Sequence, residues 1–141
     1  MINTMDYFKD LIKAAQQARN KAYAPYSGIT VGASLLTSCK TVFYGANIEN
    51  ASYPAGICGE RAAFTQALLA GKREFIAIAI VGGIAGKEAE EYFYPCGICR
   101  QWMAEFCQED FMVLIAKNCD DFQQLQLSQL LPYSFGPAHL K

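Results

Sequence analysis

Tyr94-Pro95-Cys96-Gly97-Ile98-Cys99-Arg100-Gln101 is the stretch from which the rest of the chain is read. Pro95 leads into a segment where Trp102, Met103 and Phe106 continue at helical spacing, so the two cysteines stand at a helix start. Three positions apart there, both sulfurs can face one point. The unpaired amides of a first turn carry partial positive charge, which favours thiolate over thiol. Two thiolates do not complete a zinc site, which takes four ligands in a tetrahedron. The remainder of the chain has to supply another.

Cys58-Gly59-Glu60-Arg61 repeats the setting, since a loop carrying Pro54 and Gly56 runs into an alanine- and leucine-rich helix over residues 58–70. The only histidine, His139, lies three residues from the end. Cys58, Cys96 and Cys99 with water in the fourth position is therefore the expected set. Three protein ligands plus water is the open arrangement of a catalytic zinc; structural sites close with four. Glu60 falls two residues after Cys58, where its carboxylate can lie beside the metal without binding it and take a proton from the water that zinc acidifies. Three thiolates around Zn²⁺ leave the cluster at −1, so donors to sulfur are expected from Arg61, or from Arg100 and Gln101.

Working outward, residues 3–22 read as an amphipathic helix with Asn3 as N-cap and Pro25 as its stop. Residues 31–37 and 41–48 read as adjacent antiparallel strands. Residues 75–81 and 111–116 are unbroken apolar runs that suit strands covered on both faces. Residues 82–91 read as a loop, 120–127 as a weaker strand, 128–131 as a short helix and 132–137 as an irregular tail. This order predicts a three-layer α/β/α sandwich around a mixed sheet of about five strands, as one domain over 1–141. Strands joined through helices are expected to run parallel, with ligands at helix N-termini outside the strand ends.

Composition narrows the function. A 141-residue chain buries about 68% of its unfolded surface, and with 52% hydrophobic residues it needs no disulfides. Six cysteines in such a chain read as metal ligands or thiols, with Cys39, Cys107 and Cys119 as incidental thiols. A net charge of −1 offers no surplus for phosphate neutralisation, which disfavours nucleic acid as a partner. No leader-like opening and no apolar run of membrane-spanning length appears, so a soluble cytoplasmic protein is expected.

At these residues the chain resembles the zinc-dependent nucleoside deaminases, specifically the small homotetrameric cytidine deaminases. The resemblance rests on Ala22-Tyr23-Ala24-Pro25-Tyr26-Ser27, Val31-Gly32-Ala33, Asn47-Ile48-Glu49-Asn50, the two cysteine motifs, Leu130-Leu131-Pro132 and Phe135-Gly136-Pro137. It implies one zinc per chain on Cys58, Cys96 and Cys99, and hydrolytic deamination of cytidine and 2′-deoxycytidine for pyrimidine salvage. Zinc-bound hydroxide attacks C4 and Glu60 shuttles protons. Asn47 and Glu49 hold the ribose, and backbone at Gly59 and Cys96 meets the base. Phe135 and Tyr53 reach a neighbouring subunit's pocket in a tetramer. Two positions depart from the family pattern. Gly59 stands where alanine is usual, and Ile29 stands where a phenylalanine often packs on the base.

Two other readings compete. A polynucleotide deaminase would want a basic channel and usually a histidine ligand. A structural zinc module would want four protein ligands and no open corner.

Overall fold

The computed structural model describes residues 4–141. Its elements are α1 (Thr4–Arg19), β1 (Ile29–Thr37), β2 (Val42–Ala46), α2 (Gly59–Leu69), β3 (Phe75–Ile84), α3 (Gly97–Phe106), β4 (Met112–Asn118), β5 (Asp121–Gln126) and α4 (Leu127–Leu130). Short 3-10 turns lie at Tyr53–Ala55 and Pro137–His139. The expected N-cap at Asn3 falls outside the described residues.

One sheet takes all five strands in the order β2-β1-β3-β4-β5. β1 runs antiparallel to both neighbours, β3 and β4 are parallel, and β5 returns antiparallel on β4. β2 and β3, joined through α2, do run the same way, but β1 lies between them. The expected three layers are present. β3 sends alternate residues to the two faces, as a strand must. Ala77, Ala79 and Val81 pack with Phe8, Leu11, Ile12 and Ala15 of α1. Ile78 and Ile80 pack with Ala63, Phe64 and Ala67 of α2 and Met103 of α3. Coverage on both faces explains why β3 and β4 read as unbroken apolar runs. Among the described residues no helix is long and apolar enough to cross a membrane.

Several boundaries differ from the sequence reading, and long-range pairing sets three of them. α1 ends at Arg19, not at Ala22, because Tyr23 N–H is taken by the Asn47 carbonyl and Glu49 N–H returns to the Tyr23 carbonyl. Pro25 lies beyond a helix already ended. β2 stops at Ala46, since the Asn47 side chain takes over the pairing with β1. β3 continues through Gly82 and Gly83, which pair with Val31 and Thr30, where a loop was expected.

α2 and α3 both begin on the same rim of the sheet. Cys58 is the N-cap of α2 and Cys96 of α3, each with extended backbone. α2 lies close enough that a Cβ on Gly59 would stand 2.8 Å from the Val31 carbonyl oxygen. The family's usual alanine does not fit this approach without a shift, so glycine is the local solution here.

Candidate active site

The sulfurs of Cys58 and Cys96 are 3.8 Å apart, and those of Cys96 and Cys99 are 3.5 Å apart. All three lie within 4.8 Å of one another. A tetrahedral zinc with Zn–S near 2.3 Å needs sulfurs about 3.8 Å apart, so the spacing fits that ion. Among the described residues this group holds three candidate ligands, and Glu60 is not a fourth. His139 is elsewhere, its ring stacked on Phe135 and its Nδ1 against the Gly136 backbone. Cys58 and Cys96 line a cleft of about 520 Å³, whereas Cys99 is buried behind them. The free corner therefore opens toward the cleft.

The Cys58 and Cys99 sulfurs differ in their affinity for protons. A hydrogen bond from Cys99, reinforced by Arg61 and Cys96, holds Cys58 down at about 5. The same bond to Cys58, together with burial, pushes Cys99 well up. A zinc ion displaces such protons on binding. Arg61 Nη2 donates to Cys58 Sγ at 3.3 Å, and this contact raises the guanidinium further. Its buried Nε has no hydrogen-bond partner. Hydrogen bonding to the sulfur, with the negative charge there adding to it, holds this guanidinium in place.

Glu60 is 4% exposed and lines the cleft. Burial pushes its carboxyl up to about 7, and the charge on Cys58 adds to this, against the pull of its own backbone amide. A carboxyl poised near neutrality suits proton transfer in both directions.

Asn47 and Glu49 line the same cleft. Both are already tied to backbone. Asn47 Oδ1 accepts from Val31 N–H at 2.8 Å and its Nδ2 donates to the Ile29 carbonyl at 2.9 Å. Glu49 accepts from the Tyr26 and Ser27 amides and from the Ser27 hydroxyl, which keeps its carboxyl below the usual range. Tyr53, 77% exposed, stands at the cleft beside Tyr26, with ring centroids 6.3 Å apart.

Three expected positions, Gln101, Arg100 and Ile29, fall differently. Gln101 does not reach a sulfur; its Nε2 donates to the Phe135 carbonyl at 2.9 Å. Two positions past Cys99 is about 200° around a helix, so the side chain points to the tail. Arg100 also turns away, binding the Pro95 and Leu130 carbonyls. Ile29 does not line the cleft. Phe135, expected at a neighbouring subunit, is 58% exposed and does not line the cleft of its own chain. Phe93, Val31 and Ile80 line the cleft without having been singled out for it. Phe93 sits in a stretch with no periodic pattern, and its one signal was its place three residues before Cys96.

A mixed sheet with two helix starts that gather three cysteines beside a buried glutamate defines a zinc-dependent deaminase. Comparison with known proteins narrows this. Residues 5–115 match the family described as the cytidine and deoxycytidylate deaminase zinc-binding region. The chain is 46% identical to the cytidine deaminase of Halalkalibacterium halodurans over 89% of its own length and 91% of the relative's. It is 39% identical to that of Sporosarcina psychrophila over 92% of each. The crystal structure of cytidine deaminase from Burkholderia pseudomallei superposes with a TM-score of 0.81 at 46% identity, covering 89% of this chain and 97% of that one. That from Mycobacterium tuberculosis gives 0.78 at 31%, covering 92% and 98%. The chain belongs to the cytidine and deoxycytidylate deaminase family.

Proposed function

We propose that this chain deaminates cytidine and 2′-deoxycytidine hydrolytically, giving uridine and 2′-deoxyuridine with release of ammonia. The observation that carries the reading is a buried carboxyl beside a three-sulfur cluster whose free corner faces a cleft of nucleoside size. Cys58, Cys96 and Cys99 hold the zinc ion. When bound, the ion acts as a Lewis acid that makes water reactive at neutral pH.

Glu60 handles the protons. It takes one from the water as oxygen bonds to C4 of the base and passes it to N3. It then takes the second water proton to the exocyclic nitrogen, which leaves as ammonia. C4 gains oxygen and loses nitrogen, and Glu60 ends as it began. Arg61 offsets the negative charge on the sulfurs. The Gly59 amide and Cys96 backbone lie where the base edge is held.

Asn47 and Glu49 receive the sugar. Their ties to the Tyr26-Ser27 loop and to β1 fix both side chains before substrate arrives. Preorganisation of this kind lowers the cost of binding. The remaining acceptor capacity of the Glu49 carboxylate and the second hydrogen of Asn47 Nδ2 face a ribose hydroxyl. Neither contact uses the 2′ position, so ribose and deoxyribose are both accepted. Phe135, exposed on the tail, completes the cleft of a neighbouring copy in a homotetramer, with Tyr53 beside it. The reading makes the chain a cytoplasmic salvage enzyme.

Loss of cytidine absorbance with one equivalent of ammonia released, measured beside zinc counted per chain, tests the proposal. Zinc near one per chain with turnover supports it. A chain loaded with zinc that leaves both nucleosides intact overturns it.

A further inference from the structure

On the α2 and α3 face of β3, Ile78 and Ile80 fill the row of inward side chains, and Gly82 breaks it. The space above Gly82 is not empty. A Cβ there would meet the Phe93 ring at 2.6 Å and Val31 Cγ2 at 3.0 Å. Phe93 and Val31 thus converge over a bare backbone. Both line the cleft together with Ile80, Glu60, Cys58 and Cys96.

The cleft lining combines polar Asn47, Glu49 and Ser27 with apolar Val31, Ile80 and Phe93. Phe93 is the half-buried aromatic of that lining; Tyr26, Tyr53 and Tyr94 are exposed. Its two neighbours in sequence are anchored. The Tyr92 hydroxyl donates to the Asp121 carboxylate, and the Tyr94 hydroxyl donates to Gln123 Oε1 at 2.7 Å. Asp121 and Gln123 are two apart on β5, hence on one side of that strand. The Lys117 ammonium covers the Tyr92 ring at 4.6 Å. With both flanking tyrosines drawn to β5, the residue between them is sent over β3. The ring is positioned before any ligand arrives.

We propose that Phe93, seated over Gly82 between two anchored tyrosines, is the face on which the flat base stacks, and that it sets base affinity in this chain. An aromatic face grips any planar base through its π surface. Ile29 supplies no such face, being both aliphatic and outside the cleft lining. The inference rests on a pyrimidine nucleoside being the substrate.

Calorimetric binding of uridine and of 5,6-dihydrouridine to the zinc-loaded protein tests it, because saturation puckers the ring and removes its π face. Phe93→Leu is expected to keep one zinc per chain, to weaken uridine about tenfold and to leave dihydrouridine nearly unchanged. The KM for cytidine should rise with uridine's Kd while kcat stays close to wild type. Phe93→Tyr, which keeps the ring, should bind uridine like wild type. Gly82→Ala, whose methyl meets the ring, should reproduce the selective loss. Wild-type uridine affinity in Phe93→Leu overturns the inference, as does equal weakening of both ligands. Absence of cytidine turnover by the wild-type enzyme overturns the deaminase reading instead, and uridine binding still judges Phe93.

Discussion

The starts of α2 and α3 are built alike and do different work. Each opens on a cysteine N-cap with extended backbone and no side-chain cap bond. In each, the third residue after the cap is the one that turns back toward it, as in a capping box. At α2 that residue is Arg61, whose guanidinium meets the Cys58 sulfur. At α3 it is Cys99, whose sulfur lies 3.5 Å from that of Cys96. One helix start therefore contributes a ligand and its counter-charge, and the other contributes two ligands. The residue after α2's glycine, Glu60, is buried in the cleft wall, while its counterpart after Gly97, Ile98, is exposed. Equal backbone geometry sets where a side chain points, and residue type then divides the chemistry between the two starts.

The comparison can be broken at several points. Cys99→Ala removes the ligand that α3 places at the third position, and carries the largest expected effect. Zinc content should fall toward zero, turnover should vanish, and thermal unfolding should become insensitive to a chelator that lowers the wild-type Tm. Retained zinc in this variant would mean that Cys99 is not a ligand. Glu60→Gln comes next. A positioned proton-transfer group contributes about 10²–10⁴-fold, and one used in two transfers belongs at the upper end, with zinc unchanged. A variant keeping a tenth of wild-type kcat would remove Glu60 from the chemistry.

Arg61→Ala and Gln101→Ala sharpen the comparison further, since both were candidate donors to sulfur. Loss of a partner that supports metal ligands costs about 10–100-fold in metal affinity or activity. Arg61→Ala should show it in competition with a zinc chelator, and Gln101→Ala should not. Equal behaviour of the two would contradict the assignment of the third position. The smallest effect is expected at Ser27→Ala, which removes one of three donors to Glu49. KM should rise a few-fold, at about 1 kcal/mol for a lost hydrogen bond, with kcat and zinc unmoved.

Local grammar was legible in the sequence. The cysteine triad, Glu60 and Arg61 all depend on positions within one helical turn, where spacing fixes direction. Strand count and the three layers were legible for a similar reason, since periodicity and apolar runs report which faces are covered. What long-range pairing decides was not. Nothing near Ala22 announces that Tyr23 will bridge to the segment after β2, so the end of α1 was misplaced. Gly82 and Gly83 read as loop residues because glycine usually marks one, yet here it admits Phe93 and lets β3 continue beside β1. Arg100 and Gln101 looked like partners for sulfur by adjacency alone. Their true partners, the Leu130 and Phe135 carbonyls, lie 30 and 34 residues away. That Asn47 and Glu49 would line the cleft was expected only through family resemblance, because the loop that fixes them precedes them by about 20 residues in sequence.

Zinc K-edge absorption of the loaded protein, recorded for wild type and Glu60→Gln, tests the central arrangement most directly. Three sulfurs at about 2.3 Å and one light atom at about 2.0 Å, the same in both proteins, is the predicted shell. Four sulfurs in the wild type, or a light-atom shell that changes when Glu60 is replaced, would mean that the corner facing the cleft belongs to the protein and not to water.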